Sequence, residues 1–107
     1  MISFGDFRKI EFKAAKILAV DDIPGKDKLF RVSIDLGNEN RTMVSGIKQD
    51  YSKEELIGKT IIVVSNLEPA VFAGIKSEAM VLAAKSENGK YRVAEIDASV
   101  PAGTIIE

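Results

Sequence analysis

The chain has no cysteine, no histidine and no tryptophan. Without cysteine there is no disulfide framework and no thiolate nucleophile. Without histidine as well, zinc sites of the Cys/His kind and the Ser-His-Asp machinery are excluded. Its apolar runs are short: Ile61 to Val64 is a strand's length, against the roughly 18 residues a membrane span needs. The start, Met1-Ile2-Ser3-Phe4-Gly5-Asp6, has neither the basic opening nor the apolar stretch of a signal peptide. Charge of one sign is not in excess either, with 15 basic against 16 acidic residues and a net charge of −1. A cytoplasmic location is expected, and the sequon Asn40-Arg41-Thr42 is then chance.

What is present amounts to one small domain: 107 residues, 46% of them apolar, enough for a single core. A nucleic-acid binder commonly has a basic balance, so the bulk charge counts against that class. The distribution restores it. Arg8, Lys9, Lys13 and Lys16 face only Glu11 within residues 8–16, and Lys26, Lys28 and Arg31 face only Asp27 within 26–31. Local patches of this kind can hold phosphate on an acidic molecule.

Ser3 is placed to cap a short N-terminal helix over residues 3–10, with Phe4 and Phe7 on one face. Residues 12–20 read as a first strand, in which Ala14-Ala15 breaks the alternation and predicts a bulge. Asp22-Ile23-Pro24-Gly25 is a turn. Phe30, Val32, Ile34 and Leu36 alternate with Arg31, Ser33 and Asp35 as a half-buried second strand. A third strand is expected over Arg41 to Ile47. Ser52-Lys53-Glu54-Glu55 matches a capping box, so a short helix should follow and stop at Gly58. Thr60 to Leu67 reads as a strand apolar on both faces, Glu68 to Lys76 as a long loop, and Ser77 to Ala84 as a fifth strand. Asn88-Gly89 signals a hairpin, and residues 91–96 and 104–106 form a C-terminal β extension. Five strands with a helix between the third and fourth predict an all-β, five-stranded OB-fold barrel, with an SH3-like barrel or small sandwich as the alternative. The division is one domain over 1–107: an N-terminal helical segment at 1–11, a barrel at 12–84 and an extension at 85–107.

No catalytic constellation is found. Gly58-Lys59-Thr60 ends like a phosphate-binding loop, but Lys53 stands where the first glycine belongs and a strand, not a helix, follows. Asp21-Asp22 is one solvated carboxylate pair, so no metal and no cofactor is expected. The remaining candidate is a surface. On an OB-fold, oligonucleotides lie across the second and third strands and their flanking loops, which here offer Lys26, Lys28, Arg31, Ser33 and Arg41. Only Phe30, Tyr51, Phe72 and Tyr91 are available to stack on bases, and Phe30 reads as core. The surface therefore suits backbone shape better than unpaired bases.

Asp27-Lys28-Leu29, Val32 to Gly37, Arg41 to Ile47, Val63 to Pro69 and Gly74 to Ala84, taken in order, resemble the tRNA-binding domain family. That family includes the C-terminal domains of methionyl-tRNA synthetases, free-standing structure-specific tRNA-binding proteins and CsaA-type chaperones. The resemblance spans residues 4–107. It implies a non-catalytic, shape-selective homodimer that grips the outer corner of tRNA, alone or in trans to an aminoacyl-tRNA synthetase such as methionyl-tRNA synthetase. Carried over onto this chain, its contacts are Lys28, Arg41, Ser45, Asn66, Ser77 and Met80, with Arg31 and Lys76 completing the set. Phe4, Phe7, Val100, Ile105 and Ile106 are the dimer candidates.

The chain departs from the family pattern in Ala70-Val71-Phe72-Ala73-Gly74, where tRNA binders carry basic residues. It departs also at Ala15 and Ala79, which replace glycines, and at Ile23, which replaces a histidine. An apolar Val71-Phe72 tip suits a polypeptide partner. The alternative expectation is thus a CsaA-type chaperone that binds unfolded or partner protein through this loop.

Overall fold

The computed structural model describes all residues from Met1 to Glu107. In chain order the elements are α1 (Phe4–Phe7), β1 (Phe12–Ile23), β2 (Lys26–Asp35), β3 (Asn40–Ser45), α2 (Lys53–Leu56), β4 (Thr60–Val64), β5 (Ala70–Phe72), β6 (Ile75–Ser77), β7 (Met80–Val81), β8 (Ala83–Lys85), β9 (Tyr91–Val93) and β10 (Ile105–Ile106). The protein is all-β apart from two single-turn helices, neither long enough to cross a membrane.

The main sheet runs β3-β2-β1-β4-β7, all antiparallel, with β10 beside the start of β1. β2 folds as its alternation requires: Phe30, Val32 and Ile34 are buried, and Arg31 points to solvent. These three pack with Ala15, Ile17, Met43, Ile61 and Val63 in one core that Leu56 of α2 completes. Each large side chain taken from water here contributes roughly 1.5–3 kcal/mol. Helix α2 is set by its capping box. Ser52 Oγ accepts from the Glu55 amide at 3.2 Å, and the Glu55 carboxylate accepts from the Ser52 amide at 2.8 Å.

Several expectations are corrected. Ala14-Ala15 is not a bulge. Both alanines are buried and stay in register with Ile62 and Ile61, because β1 is covered on both faces there. The irregularity falls three residues later, between Ile17 and Ala19, and leaves Leu18 half-exposed. The long loop after Pro69 is the β5–β6 hairpin, closed by Ala73 and Gly74 at φ of 52° and 78°. Positive φ at both turn residues is the geometry that follows the twist of paired strands. The fifth strand is broken into the end of β6, β7 and β8, and at the first break Ser77 Oγ donates to Ala79 O at 3.3 Å.

The structure has ten strands, against five expected in the barrel and a β extension after them, and the sheet does not close into a hydrogen-bonded barrel. Its margins do approach. The Glu78 amide donates to Thr42 O at 2.9 Å, and the Val44 amide donates to Ser77 Oγ at 3.0 Å. A side-chain hydroxyl stands where a ladder would put a carbonyl, so pairing cannot propagate along β3.

The C-terminal segment is drawn onto β1 by bonds from Ala14 N to Thr104 O and from Gly103 N to Ala14 O. The same segment crosses the turn after β2, and that crossing demands glycine on both sides, since a Cβ on Gly37 would collide with Ala102 O and one on Gly103 with Leu36 O. The β8–β9 hairpin straddles the expected border at residue 85, and its Val93 reaches the core.

Candidate nucleic-acid interface

Strand register decides which residues share a face. Directly paired residues point the same way. Asp21, Arg31 and Val44 therefore form one outward row across β1, β2 and β3, and Ala19, Ser33 and Thr42 form the next. The buried Ser77 hydroxyl accepts from the Val44 amide and ties β6 to the edge of β3. Lys76, its neighbour on β6, is thereby carried next to β3. Lys28, Arg31 and Lys76 are all exposed, and none makes a side-chain ion pair or hydrogen bond within the protein. Together with Lys16, Lys26 and Lys90, they are left over for an external anion.

Arg41 lies elsewhere. It pairs with Ile34, so it belongs to the opposite, core-facing side from Arg31. Its Nε donates to Glu39 Oε1 at 2.6 Å, and its Nη1 donates to Ser65 O and to Glu78 O. The side chain is 23% exposed. Asn66 is likewise committed: its Oδ1 accepts from the Glu11 amide at 2.8 Å, and its Nδ2 donates to Lys9 O at 2.7 Å. Ser77 is buried and bonded on both sides. Three of the eight residues read as contacts are therefore internal fasteners in the free protein. Ser45 is half-buried beside Phe30, and Met80 is 49% exposed.

The sequence reading missed Glu11 and Ser65. Ser65 donates its amide and its hydroxyl to Glu11, and Lys13 sits 3.5 Å from the same carboxylate. The hydroxyl bond and the neighbouring cations hold the Glu11 carboxyl below its ordinary value. One signal was available: Ser65 is a polar residue following directly on the wholly apolar run Ile61 to Val64. On the far side, Lys53 and Lys48 bond the Asp22 carboxylate at 2.9 and 3.1 Å, which lowers its pKa and raises that of Lys53. Those two lysines are spoken for.

Tyr51 is not available to stack. It is buried, its hydroxyl accepts from the Val93 amide, and Arg92 covers its ring at 4.8 Å. Phe72 and Tyr91 do remain exposed. Phe72, Met80, Leu67, Ala70 and Val44 line a small, largely apolar groove of about 170 Å³ beside Ser77.

A larger groove of about 520 Å³ lies at the chain ends. There Phe4, Phe7, Ile10, Phe12, Ile105 and Ile106 come together, bringing four of the five dimer candidates to one place. Val100 is not among them; it sits half-buried in the turn that follows Asp97.

With this geometry in place, comparison with known proteins is decisive. Residues 12–105 match the family described as "Putative tRNA binding domain". The chain belongs to that family. It is 42% identical over 106 residues to methionine–tRNA ligase of Methanococcus vannielii, covering 99% of this chain but 16% of the relative. The chain thus spans about a sixth of the length of the curated relatives it matches. Among solved structures, the MetRS related protein from Pyrococcus horikoshii aligns with a TM-score of 0.94 at 34% identity, covering 100% of this chain and 98% of that one. The CsaA chaperone protein from Picrophilus torridus aligns at 0.91 and 31% identity, covering 100% of both. These solved neighbours are thus of two kinds, a MetRS related protein and a CsaA chaperone, and both match the backbone closely.

Proposed function

We propose that this chain is a non-catalytic, shape-selective tRNA-binding protein of OB type, acting in the cytoplasm alone or in trans to a methionyl-tRNA synthetase. The observation that carries this reading is that the unpaired cations include Lys28 and Arg31 on β2 and Lys76 on β6, which the Val44–Ser77 bond brings beside β3, in a chain of the tRNA-binding domain family. Phosphate contacts give affinity and register without base identity. With few exposed aromatics and no stacking platform on β2 or β3, the surface is better matched to folded RNA than to loose single strands. A homodimer built on the groove of Phe4, Phe7, Ile105 and Ile106 would present two such surfaces, and light scattering at micromolar concentration tests it.

The principal experiment titrates the protein with bulk tRNA and with unstructured RNA over a range of salt. Preference for tRNA is expected, with affinity falling steeply as salt rises. Lys28→Ala, Arg31→Ala and Lys76→Ala should each lower the slope of log K against log salt by roughly 0.7–0.9. Equal affinity for both RNAs would overturn the reading.

A second reading has its own support. Phe72, Leu67 and Met80 are exposed around one apolar groove, and Val71 is exposed at the same hairpin, a surface suited to unfolded polypeptide, as in a CsaA-type chaperone. Salt-insensitive binding of a denatured protein, abolished by Phe72→Ser with tRNA binding intact, would favour it.

A further inference from the structure

We propose that Arg41 is a positioning residue and not a phosphate contact: its guanidinium clasps the two margins of the open sheet and so fixes the spacing between Arg31 and Lys76. The proposal rests on the tRNA-binding reading above and assigns a role within that site.

β3 is one margin of the sheet and β7 is the other, and the chain that leads from β4 into β7 lies against β3. No ladder joins them. Arg41 leaves β3, is braced by the Glu39 carboxylate, and donates to Ser65 O beyond β4 and to Glu78 O before β7. One planar fork therefore touches three separate segments. The Glu78–Thr42 and Val44–Ser77 bonds close the same seam from its other side. Arg31 is paired with Val44, and Lys76 is attached to Ser77, so the two cations sit on opposite sides of this seam. Their separation is as rigid as the clasp. An RNA backbone presents its phosphates at fixed intervals, and cations held at a set spacing bind it without an ordering cost. The donors that would otherwise meet phosphate are already engaged, and the register turns Arg41 away from Arg31.

The test compares Arg41→Lys and Glu39→Gln with the unaltered protein, at a temperature where all remain folded by circular dichroism. Lysine keeps the charge and has three donors, but they sit on one nitrogen and lack the planar fork that spans the Glu39 carboxylate and the two carbonyls. We expect Arg41→Lys to weaken tRNA binding tenfold or more with an unchanged salt slope. In the Arg41→Lys background, Lys76→Ala should cost less affinity than it does alone, because a misplaced cation has less to lose. Glu39→Gln should weaken binding in the same direction by a smaller factor. Hydrogen exchange on the RNA-free protein should show faster exchange at the Val44 and Glu78 amides in both variants.

A phosphate-contacting Arg41 gives the opposite pattern. Lysine would substitute for it, and Glu39→Gln would free the guanidinium and raise affinity; either result overturns the proposal. Unaltered protein that shows no preference for tRNA overturns the functional reading instead, and the exchange data then decide the clasp on their own.

Discussion

The sheet has two kinds of junction. β1 is joined to β2 and β4 by backbone ladders laid over an apolar core, the first interrupted only by register shifts. The seam between β3 and the β6–β7 segment is held by a handful of polar side chains that reach carbonyls and amides. Where a ladder runs, residue identity matters through volume and alternation. Where it stops, serine, asparagine and arginine take over the satisfaction of buried backbone groups. Residues of those types look like ligand contacts in a sequence, and in the free protein Arg41, Asn66 and Ser77 are used up holding the fold.

The contrast predicts how each junction fails. Truncation on the ladder side should have the largest effect. Ile61→Ala removes a fully buried side chain from the middle of the core, and a loss of about 2–5 kcal/mol is expected from transfer and cavity terms together. Urea denaturation should show one cooperative transition moved to lower midpoint. A second, separate transition would mean that ladder and seam are not one unit.

Ser77→Ala attacks the seam. It leaves the Val44 amide without its acceptor, and an unsatisfied buried donor costs about 1–3 kcal/mol. Hydrogen exchange should reveal the loss first in β3, β5 and β6, with β1 and β4 still protected. Uniform loss of protection across the sheet would erase the distinction between the two junctions.

Much of the ladder side was legible from the residues alone. The alternation from Phe30 to Leu36, the capping box at Ser52 and Glu55, and the Pro24-Gly25 turn are local patterns, and local physics decides them. The seam was not legible. Which face Arg41 takes depends on its register against Ile34, and a shift of one residue would turn it to Arg31's side. Tyr51 bonds an amide 42 residues away, and Ser65 bonds one segment 54 residues before it and another through Arg41. No short-range pattern carries such pairings. Val71 and Phe72 read as a loop because a three-residue strand closed by Ala-Gly has too few positions to show alternation.

The Glu11 carboxylate gives a smaller, pH-dependent probe of the seam's outer end. Its folded-state pKa lies below the ordinary 4.5, chiefly because Ser65 donates to it. A depressed acid contributes stability above its unfolded pKa and loses it as pH falls through the folded value. Protection of the Ser65 and Glu11 amides should therefore hold at neutral pH and decline below about pH 4.5. Glu11→Gln should flatten that decline. A variant with the same acid sensitivity as the parent would place the responsible group elsewhere.

The smallest effect should come from Ala73, the one non-glycine residue at positive φ. An L-residue with a Cβ strains in this region, whereas asparagine tolerates it and Asn-Gly is the favoured pair for a two-residue hairpin turn. Ala73→Asn should thus stabilise the β5–β6 hairpin by roughly 0.5–1 kcal/mol. What matters is where the gain is felt. The hairpin touches the main sheet through the Val44–Ser77 and Glu78–Thr42 bonds, not through a ladder. If those bonds transmit stability, Ala73→Asn raises the global midpoint in the parent but only local β5–β6 protection in a Ser77→Ala background. Equal global gains in both backgrounds would show that the hairpin is coupled to the core by packing alone, and that the polar seam fastens nothing beyond itself.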